Sequence, residues 1–366
     1  MARPIRVLIV DDSALIRELL TKMLSSDPQI EVVGSAPDPL IAREKIKRLN
    51  PDVVTLDIEM PRLDGLEFLR RIMTLRPMPV VMVSSLTQRG ADATLRALEI
   101  GAVDFVAKPT CDLQEGLEAM QAEIVAKVKA AAAAKVARRN VTDVSAMKPL
   151  AGGPGYSSTE KIVALGASTG GVEALTHILR SMPADSPALL VTQHMPEHFT
   201  ASFANRLDGL CAIAVAEARH GARVVPGHAY IAPGDRHLEL GRSGATYTCV
   251  VRGTEPVSGH CPSVDVLFRS VAFAAGGNAV GVILTGMGRD GADGLLAMRS
   301  AGAHTVGQDE ASCIVYGMPR AAFERGAVET QLPLERIAGY LLDLCTANPR
   351  RRFAPGVHET TAEAER

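Results

Sequence analysis

Three carboxylates, Asp11, Asp12 and Asp57, follow or end short β-branched runs, as do Ser84 and Lys108. In a parallel sheet the carboxyl ends of the strands open onto one crevice, so these side chains are expected to meet there. Oxygen ligands without sulfur or imidazole suit Mg²⁺, which keeps several waters and bridges to phosphate. Beside such an ion a carboxylate can attack a phosphoryl group, provided that a cation and a hydroxyl neutralise the charge that develops. Lys108 and Ser84 supply these. A plainer reading makes Asp11 and Asp12 a helix N-cap and its neighbour, and Lys108-Pro109 a turn. Five such features at the ends of four strands outweigh it.

A different chemistry is written in Gly166-Ala167-Ser168-Thr169-Gly170-Gly171, which follows the apolar run Lys161–Leu165 and precedes a helical pattern. A G-x-S-x-G turn of this kind exposes a serine at a sheet edge, beside the free N–H groups of a helix start. The segment lacks the spacing of a dinucleotide fingerprint and the Gly-Lys-Ser/Thr ending of a P-loop. Serine needs a neighbouring base, most often a histidine held in one tautomer by a carboxylate. His194 ends the next strand pattern, in Val-Thr-Gln-His-Met-Pro, and would emerge at the same edge. His198, four residues on, could suggest a zinc pair, but Pro196 stands between the two and Glu197 is misplaced for H-E-x-x-H. Asp290 lies in the glycine-rich Leu284-Thr-Gly-Met-Gly-Arg-Asp-Gly, where Met287 could offer its N–H to an oxyanion. Asp293, Asp265 and Asp309 are rivals, and Asp290 could equally be a helix N-cap. The chain order Ser, His, Asp differs from that of ordinary α/β-hydrolases, subtilisins and chymotrypsins.

The elements that must position these residues form two α/β series. Strands are expected at Arg6–Val10, Ile30–Val33, Val53–Asp57, Val80–Ser84 and Val103–Ala107, with amphipathic helices between them. The first helix, beginning near Ser13, should carry Leu15, Ile16, Leu19, Leu20, Met23 and Leu24 on its core face. An Ala/Lys/Arg run from Lys127 to Arg139, then Lys148-Pro-Leu-Ala-Gly-Gly-Pro-Gly, reads as a helical extension and a flexible linker. A second parallel series is expected at Lys161–Gly166, Ala188–His194, Ala279–Gly286 and His304–Gln308, with short antiparallel strands inserted at His228–Pro233, His237–Leu240 and Tyr247–Arg252. Four segments follow: a receiver-type unit over 1–124, an extension and linker over 125–159, a catalytic unit over 160–347, and a disordered tail over 348–366.

At 366 residues two cores are expected. A net charge of −2 gives no global field for nucleic acid or an anionic membrane. Lys135, Arg138 and Arg139 are read as a solvated helix face, not a nucleic-acid footprint. The six cysteines show no CxxC pair, so reduced thiols are expected. Without a signal-peptide core or a membrane-length apolar run, a soluble cytoplasmic protein is expected, with no direct membrane insertion.

Residues 4 to 124 resemble the receiver domain of bacterial response regulators. The resemblance implies Asp57 as phosphoacceptor, Asp11 and Asp12 as Mg²⁺ ligands, and a main-chain carbonyl at Glu59 completing that site. It also implies Ser84, Phe105 and Lys108 as switch residues and a flavodoxin-like fold with a five-stranded parallel sheet. Residues 160 to 346 resemble the catalytic domain of the CheB family of chemotaxis protein-glutamate methylesterases. The motifs are Gly166-Ala-Ser-Thr-Gly-Gly, Gln193-His-Met-Pro, Tyr230-Ile-Ala-Pro-Gly, Pro262-Ser-Val-Asp265 and Leu284-Thr-Gly-Met-Gly-Arg-Asp-Gly-Ala292. Arg289 departs from the neutral polar residue usual there, which alters the charge near the site without removing the triad.

This second resemblance implies a doubly wound, mainly parallel α/β domain with Ser168 as nucleophile, His194 as general base and acid, and Asp290 as its orienting carboxylate. Thr169 and Met287 would support the serine and the oxyanion. The implied function is phosphorylation-activated hydrolysis of glutamate methyl esters, and deamidation of some glutamines, on methyl-accepting chemoreceptors. A chemotaxis histidine kinase would be phosphodonor; Mg²⁺ would serve the receiver and no cofactor the hydrolysis; the chain would act as a monomer. The alternative is a phosphorylation-dependent binding module whose hydrolase is vestigial. A DNA-binding regulator is disfavoured by the absence of a helix-turn-helix or a basic second domain.

Overall fold

The computed structural model describes residues 3–60, 64–85, 87–108, 114–136, 150 and 161–345. Its first unit runs β1 (Ile5–Val10), α1 (Ala14–Ser25), β2 (Ile30–Ala36), α2 (Pro39–Leu49), β3 (Val53–Asp57), α3 (Gly65–Leu75), β4 (Val80–Ser84), α4 (Gln88–Ile100), β5 (Asp104–Ala107) and α5 (Gln114–Ala133). The five strands are all parallel, in the order β2-β1-β3-β4-β5. Strands β3 and β4 are buried along their whole length, which is why they read as continuous Val/Leu/Met runs. The apolar stripe of α1 is narrower than its spacing predicts: Leu20, Met23 and Leu24 are buried, Ile16 and Leu19 half-buried, and Leu15 59% exposed. Its first turn sits at the carboxyl rim of the sheet, ahead of the core.

The second unit runs β6 (Ile162–Ala167), α6 (Gly171–Ser181), β7 (Ala188–Gln193), α7 (Glu197–Asp208), β8 (Ala214–Glu217), β9 (His228–Ile231), β10 (His237–Ser243), β11 (Thr246–Arg252), α8 (Val264–Ala275), β12 (Ala279–Ile283), α9 (Ala292–Ser300), β13 (His304–Gln308), α10 (Met318–Glu324), β14 (Thr330–Leu332) and α11 (Leu334–Cys345). Seven strands form one parallel sheet in the order β14-β13-β12-β6-β7-β9-β8. The winding reverses at β6, whose neighbours are β7 on one side and β12 on the other, so the crevice beyond its carboxyl end is a topological switch point.

The expected antiparallel insertion is confined to the β10–β11 hairpin. The segment His228–Pro233 belongs elsewhere: as β9 it pairs in parallel with both β7 and β8. Alternation of apolar residues cannot distinguish the two pairings, and β8, with two of its four residues exposed, is too short to announce itself.

Helix α5 continues past residue 124 to Ala133. Most of the expected linker, with Arg138 and Arg139, and the whole of the expected tail lie outside the described residues. Lys135 is described, and it reaches the second unit: its Nζ donates to Glu310 O at 3.1 Å. Five of the six cysteines are described, all as free thiols. Among the described residues no helix is long and apolar enough to cross a membrane.

The two units pack together. One apolar cluster passes from Leu95, Leu98 and Phe105 of the first into Phe199 and Phe203 of the second. Phe105 stacks on Phe199 with ring centroids 4.4 Å apart. Glu99 on α4 takes a forked pair from Arg206 on α7, with Nε at 2.6 Å and Nη2 on the other oxygen.

Candidate active site beneath a receiver

At the carboxyl end of the first sheet the ligand oxygens of Asp11, Asp12 and Asp57 lie within 4.8 Å of one another. Asp11 and Asp57 are buried and Asp12 is exposed. The cap of α1 is Ser13, which accepts from Ile16 N–H, so the aspartates are not needed for that job. Lys108 Nζ stands 2.8 Å from Asp57 Oδ2 and 3.8 Å from Asp11 Oδ2. Those two oxygens are buried and make no directed hydrogen bond, leaving acceptors that a divalent cation would satisfy. Burial, followed by the charge of Asp57, pushes the Asp11 carboxyl up to about 6, against the pull of Lys108. Burial likewise raises Asp57, with Lys108 opposing. The carboxylates are therefore crowded for want of positive charge, and the donor set fits Mg²⁺.

Glu59 donates its N–H to Asp57 Oδ1 at 3.1 Å. The Ser84 hydroxyl is turned toward α4, accepting from Thr94 Oγ1 at 2.8 Å and lying 3.3 Å from Gly90 O. Phe105 is buried against the second unit.

At the second switch point β6 ends at Ala167, and Gly170, at φ 78°, turns the chain into α6. Ser168 is gripped through its main chain. Its N–H donates to Thr285 O (3.1 Å), and its carbonyl accepts from Gly171 N–H (2.7 Å) and Gln193 Nε2 (2.9 Å). His194 is the first residue after β7 and Asp290 follows β12, so neighbouring strands deliver all three side chains to one rim.

His194 Nε2 meets Asp290 Oδ2 at 2.8 Å. Because Oδ2 accepts, the proton sits on Nε2 and the lone pair on Nδ1, which is buried and has no hydrogen-bond partner. That nitrogen is the one left to take a proton. Asp290 is 1% exposed and also accepts from Ser263 Oγ (2.9 Å), Val264 N–H (2.7 Å) and Asp265 N–H (3.0 Å). Burial alone would raise its carboxyl, but the His194 contact and the two amides hold it below the usual range.

Asp290 thus serves the N-terminus of α8 rather than that of its own helix, α9, whose cap is Gly291. The rivals are engaged elsewhere: Asp293 with Arg325, Asp265 with Gly294 N–H and Ser258, and Asp309 with Ser312. His198 and Arg289 are exposed.

Helix α8 approaches this closely because residue 166 is glycine: a β-carbon there would meet Val264 Cγ1 at 2.2 Å. Gly166→Ala is expected to push α8 back and cost about 1–3 kcal/mol of stability, read as a lower Tm of the second unit.

Over the rim sits the first unit. Thr169, next to Ser168, donates its hydroxyl to Asp104 Oδ2, while Asp104 Oδ1 pairs with Lys127 Nζ at 3.5 Å. Ser168, Gln193, Asp104, Phe105 and Ile314 line one small cavity between the units.

The family model for the response regulator receiver domain matches residues 7–121, and that for CheB methylesterase matches residues 163–341. A protein-glutamate methylesterase/protein-glutamine glutaminase 1 from Geobacter metallireducens is 58% identical over 361 residues, covering 96% of this chain and 99% of that protein. The chain belongs to the CheB methylesterase family. It is a hydrolase fused to a receiver domain. A protein-glutamate methylesterase/protein-glutamine glutaminase from Escherichia coli is also 58% identical, over 95% of this chain and 99% of its own length. The crystal structure of the Thermotoga maritima CheB methylesterase catalytic domain matches with a TM-score of 0.49 and 37% identity, over 50% of this chain and 98% of that one.

Four residues of this family member's site carry no assignment in the sequence reading: Gln193, His260, Ser263 and Asp104. Ser263 had a signal, since serine ahead of Val264-Asp265 is a helix-start pattern. The others touch partners far away in the chain, which no local pattern announces.

Proposed function

We propose that this protein hydrolyses glutamate γ-methyl esters, and deamidates some glutamines, on the cytoplasmic helices of chemoreceptors, and that phosphorylation of Asp57 turns it on. The reading is carried by the His194–Asp290 pair, whose histidine follows the strand next to the one that Ser168 follows, with one imidazole nitrogen free to act as base. In the first step Ser168 Oγ bonds to the ester carbon and its proton passes to His194 Nδ1. Met287 N–H, at the adjoining loop, donates to the oxyanion, and Thr169 helps hold the serine turn. His194 then gives the proton to the departing methoxide, releasing methanol, or to the amine when ammonia leaves. Water, deprotonated by the same nitrogen, attacks the acyl-serine; as the acyl C–O bond breaks, His194 returns the proton to Ser168 Oγ and free glutamate leaves.

In the receiver, Asp11, Asp12, Asp57 and the Glu59 carbonyl would hold Mg²⁺, whose charge offsets that of the incoming phosphoryl group. Lys108 and Ser84 take up the remaining phosphoryl oxygens, so Ser84 must turn from Thr94 toward Asp57. Phe105, on the strand beside that of Ser84 and opposite Met82, is where that rearrangement meets the interface. Supporting control by occlusion are the stacking of Phe105 on Phe199, the Asp104–Thr169 bond and the Glu99–Arg206 pair, all holding the receiver against the rim. A cytoplasmic monomer using a chemotaxis histidine kinase as phosphodonor fits this arrangement.

The test is methanol release from methylated chemoreceptors with a small phosphodonor and Mg²⁺; no release under those conditions would sink the reading. Glu99→Ala removes a half-buried forked ion pair, which at about 1 kcal/mol should open the interface about fivefold more often. Hydrolysis without phosphodonor should rise by that factor, while the rate with phosphodonor stays near that of the unaltered protein.

A further inference from the structure

His260 carries none of the roles described so far, yet its ring lies flat on His194, with centroids 3.7 Å apart and planes 12° from parallel. The loop that presents it is built. Val257 and His260 exchange N–H···O bonds of 3.0 Å, and Ser258, at φ 54°, sends its hydroxyl to Asp265 Oδ2 at 2.9 Å. Asp265 is fixed in turn by Gly294 N–H at 2.7 Å. A few residues on, Ser263, Val264 and Asp265 donate to Asp290. One continuous segment thus supplies both the ring on the face of His194 and the donors that hold its carboxylate partner.

A flat ring against the imidazole obstructs rotation about the His194 Cβ–Cγ bond, the motion that would carry Nε2 off Asp290. The charges around the pair also have a sense. Burial, then the neighbouring His194, then Lys127 of the receiver lower the His260 imidazole, Asp290 opposes them, and the ring comes to rest at about 4. His260 is therefore held toward its neutral form. When His194 takes the serine proton, the resulting cation lies on a neutral π face rather than against a second charge.

We propose that His260 is a positioning residue for the ester hydrolysis: its ring fixes the plane of His194 and provides the face on which His194 carries the proton between Ser168 and the leaving group. This rests on the reading of Ser168, His194 and Asp290 given above.

The experiment uses the full-length protein, methylated chemoreceptor, Mg²⁺ and acetyl phosphate, with methanol release followed for His260→Ala, His260→Asn and His260→Phe. The Ala and Asn variants should lose about tenfold in kcat with KM within about twofold, and Phe, which restores a flat face without a titrating nitrogen, should recover to within about threefold. Phe as poor as Asn, a loss confined to KM, or an Ala variant within about twofold of the unaltered protein would each overturn the proposal. Should His260→Ala fail to fold, the Asn and Phe pair decides, with thermal unfolding checked for both. Ser168→Ala run in parallel separates the two readings: its inactivity beside fully active His260 variants rejects only this inference, whereas its full activity removes the triad itself.

Discussion

Ser168→Ala is expected to lower methanol release by about 10⁴-fold or more with phosphodonor present, because removing the nucleophile of a triad removes the chemistry that all its members serve. The structure makes this a clean deletion. The turn is held by Thr285 O, Gly171 N–H and Gln193 Nε2, all acting on the main chain of residue 168, so losing Oγ leaves the loop where it is. Tm should change by no more than the few degrees usual for a substitution that breaks no buried contact. Phosphorylation of Asp57 should proceed as before, since the receiver's acidic cluster is built at the edge of a different sheet. A variant that keeps its fold and its phosphorylation but still releases methanol at more than about a hundredth of the normal rate would remove Ser168 from the mechanism.

The two sites differ in how much of them could be read from the sequence. The receiver cluster was legible because each member ends or follows a strand, and a parallel sheet brings strand ends together whatever the details of packing. The serine turn was legible for the same reason, and β12-β6-β7 adjacency then brings Asp290 and His194 to it. Asp290 against its rivals was not decidable from spacing, because the donors that distinguish it come from α8, some 25 residues earlier in the chain. The face of His194 covered by His260, and Thr169 reached by Asp104, are likewise set by tertiary contacts between segments with no common period. The misassigned β9 has a related cause: a strand of four residues carries its own alternation but not its partner's direction. Leu15 shows the converse, a residue with the right spacing placed beyond the end of the surface it should cover.

Asp290→Asn carries the other large expected effect, and its two consequences can be measured apart. Both carboxylate oxygens act as acceptors: Oδ2 faces His194 Nε2 and Val264 N–H, and Oδ1 faces Ser263 Oγ and Asp265 N–H. An amide has one oxygen, so its NH₂ must confront donors on one side. If the NH₂ faces His194, the imidazole proton is driven to Nδ1 and the lone pair needed for Ser168 is lost; hydrolysis should fall by about 10³- to 10⁴-fold. If it faces Asp265, the start of α8 loses an acceptor, costing about 1–3 kcal/mol of stability. The charge itself adds a pH signature. Asp290 is held below the ordinary carboxylate range in the folded protein, so on acidification the unfolded chain takes up a proton first and the native state loses ground. This contribution is complete above the unfolded carboxylate range and disappears as pH falls through the lower, folded value. The Asn variant lacks it and should lose less stability over that acidic interval. A helix-capping role alone would lower Tm and flatten its acid limb while leaving kcat per folded molecule unchanged; a role in orienting His194 requires the loss in kcat at neutral pH, where the variant is still folded.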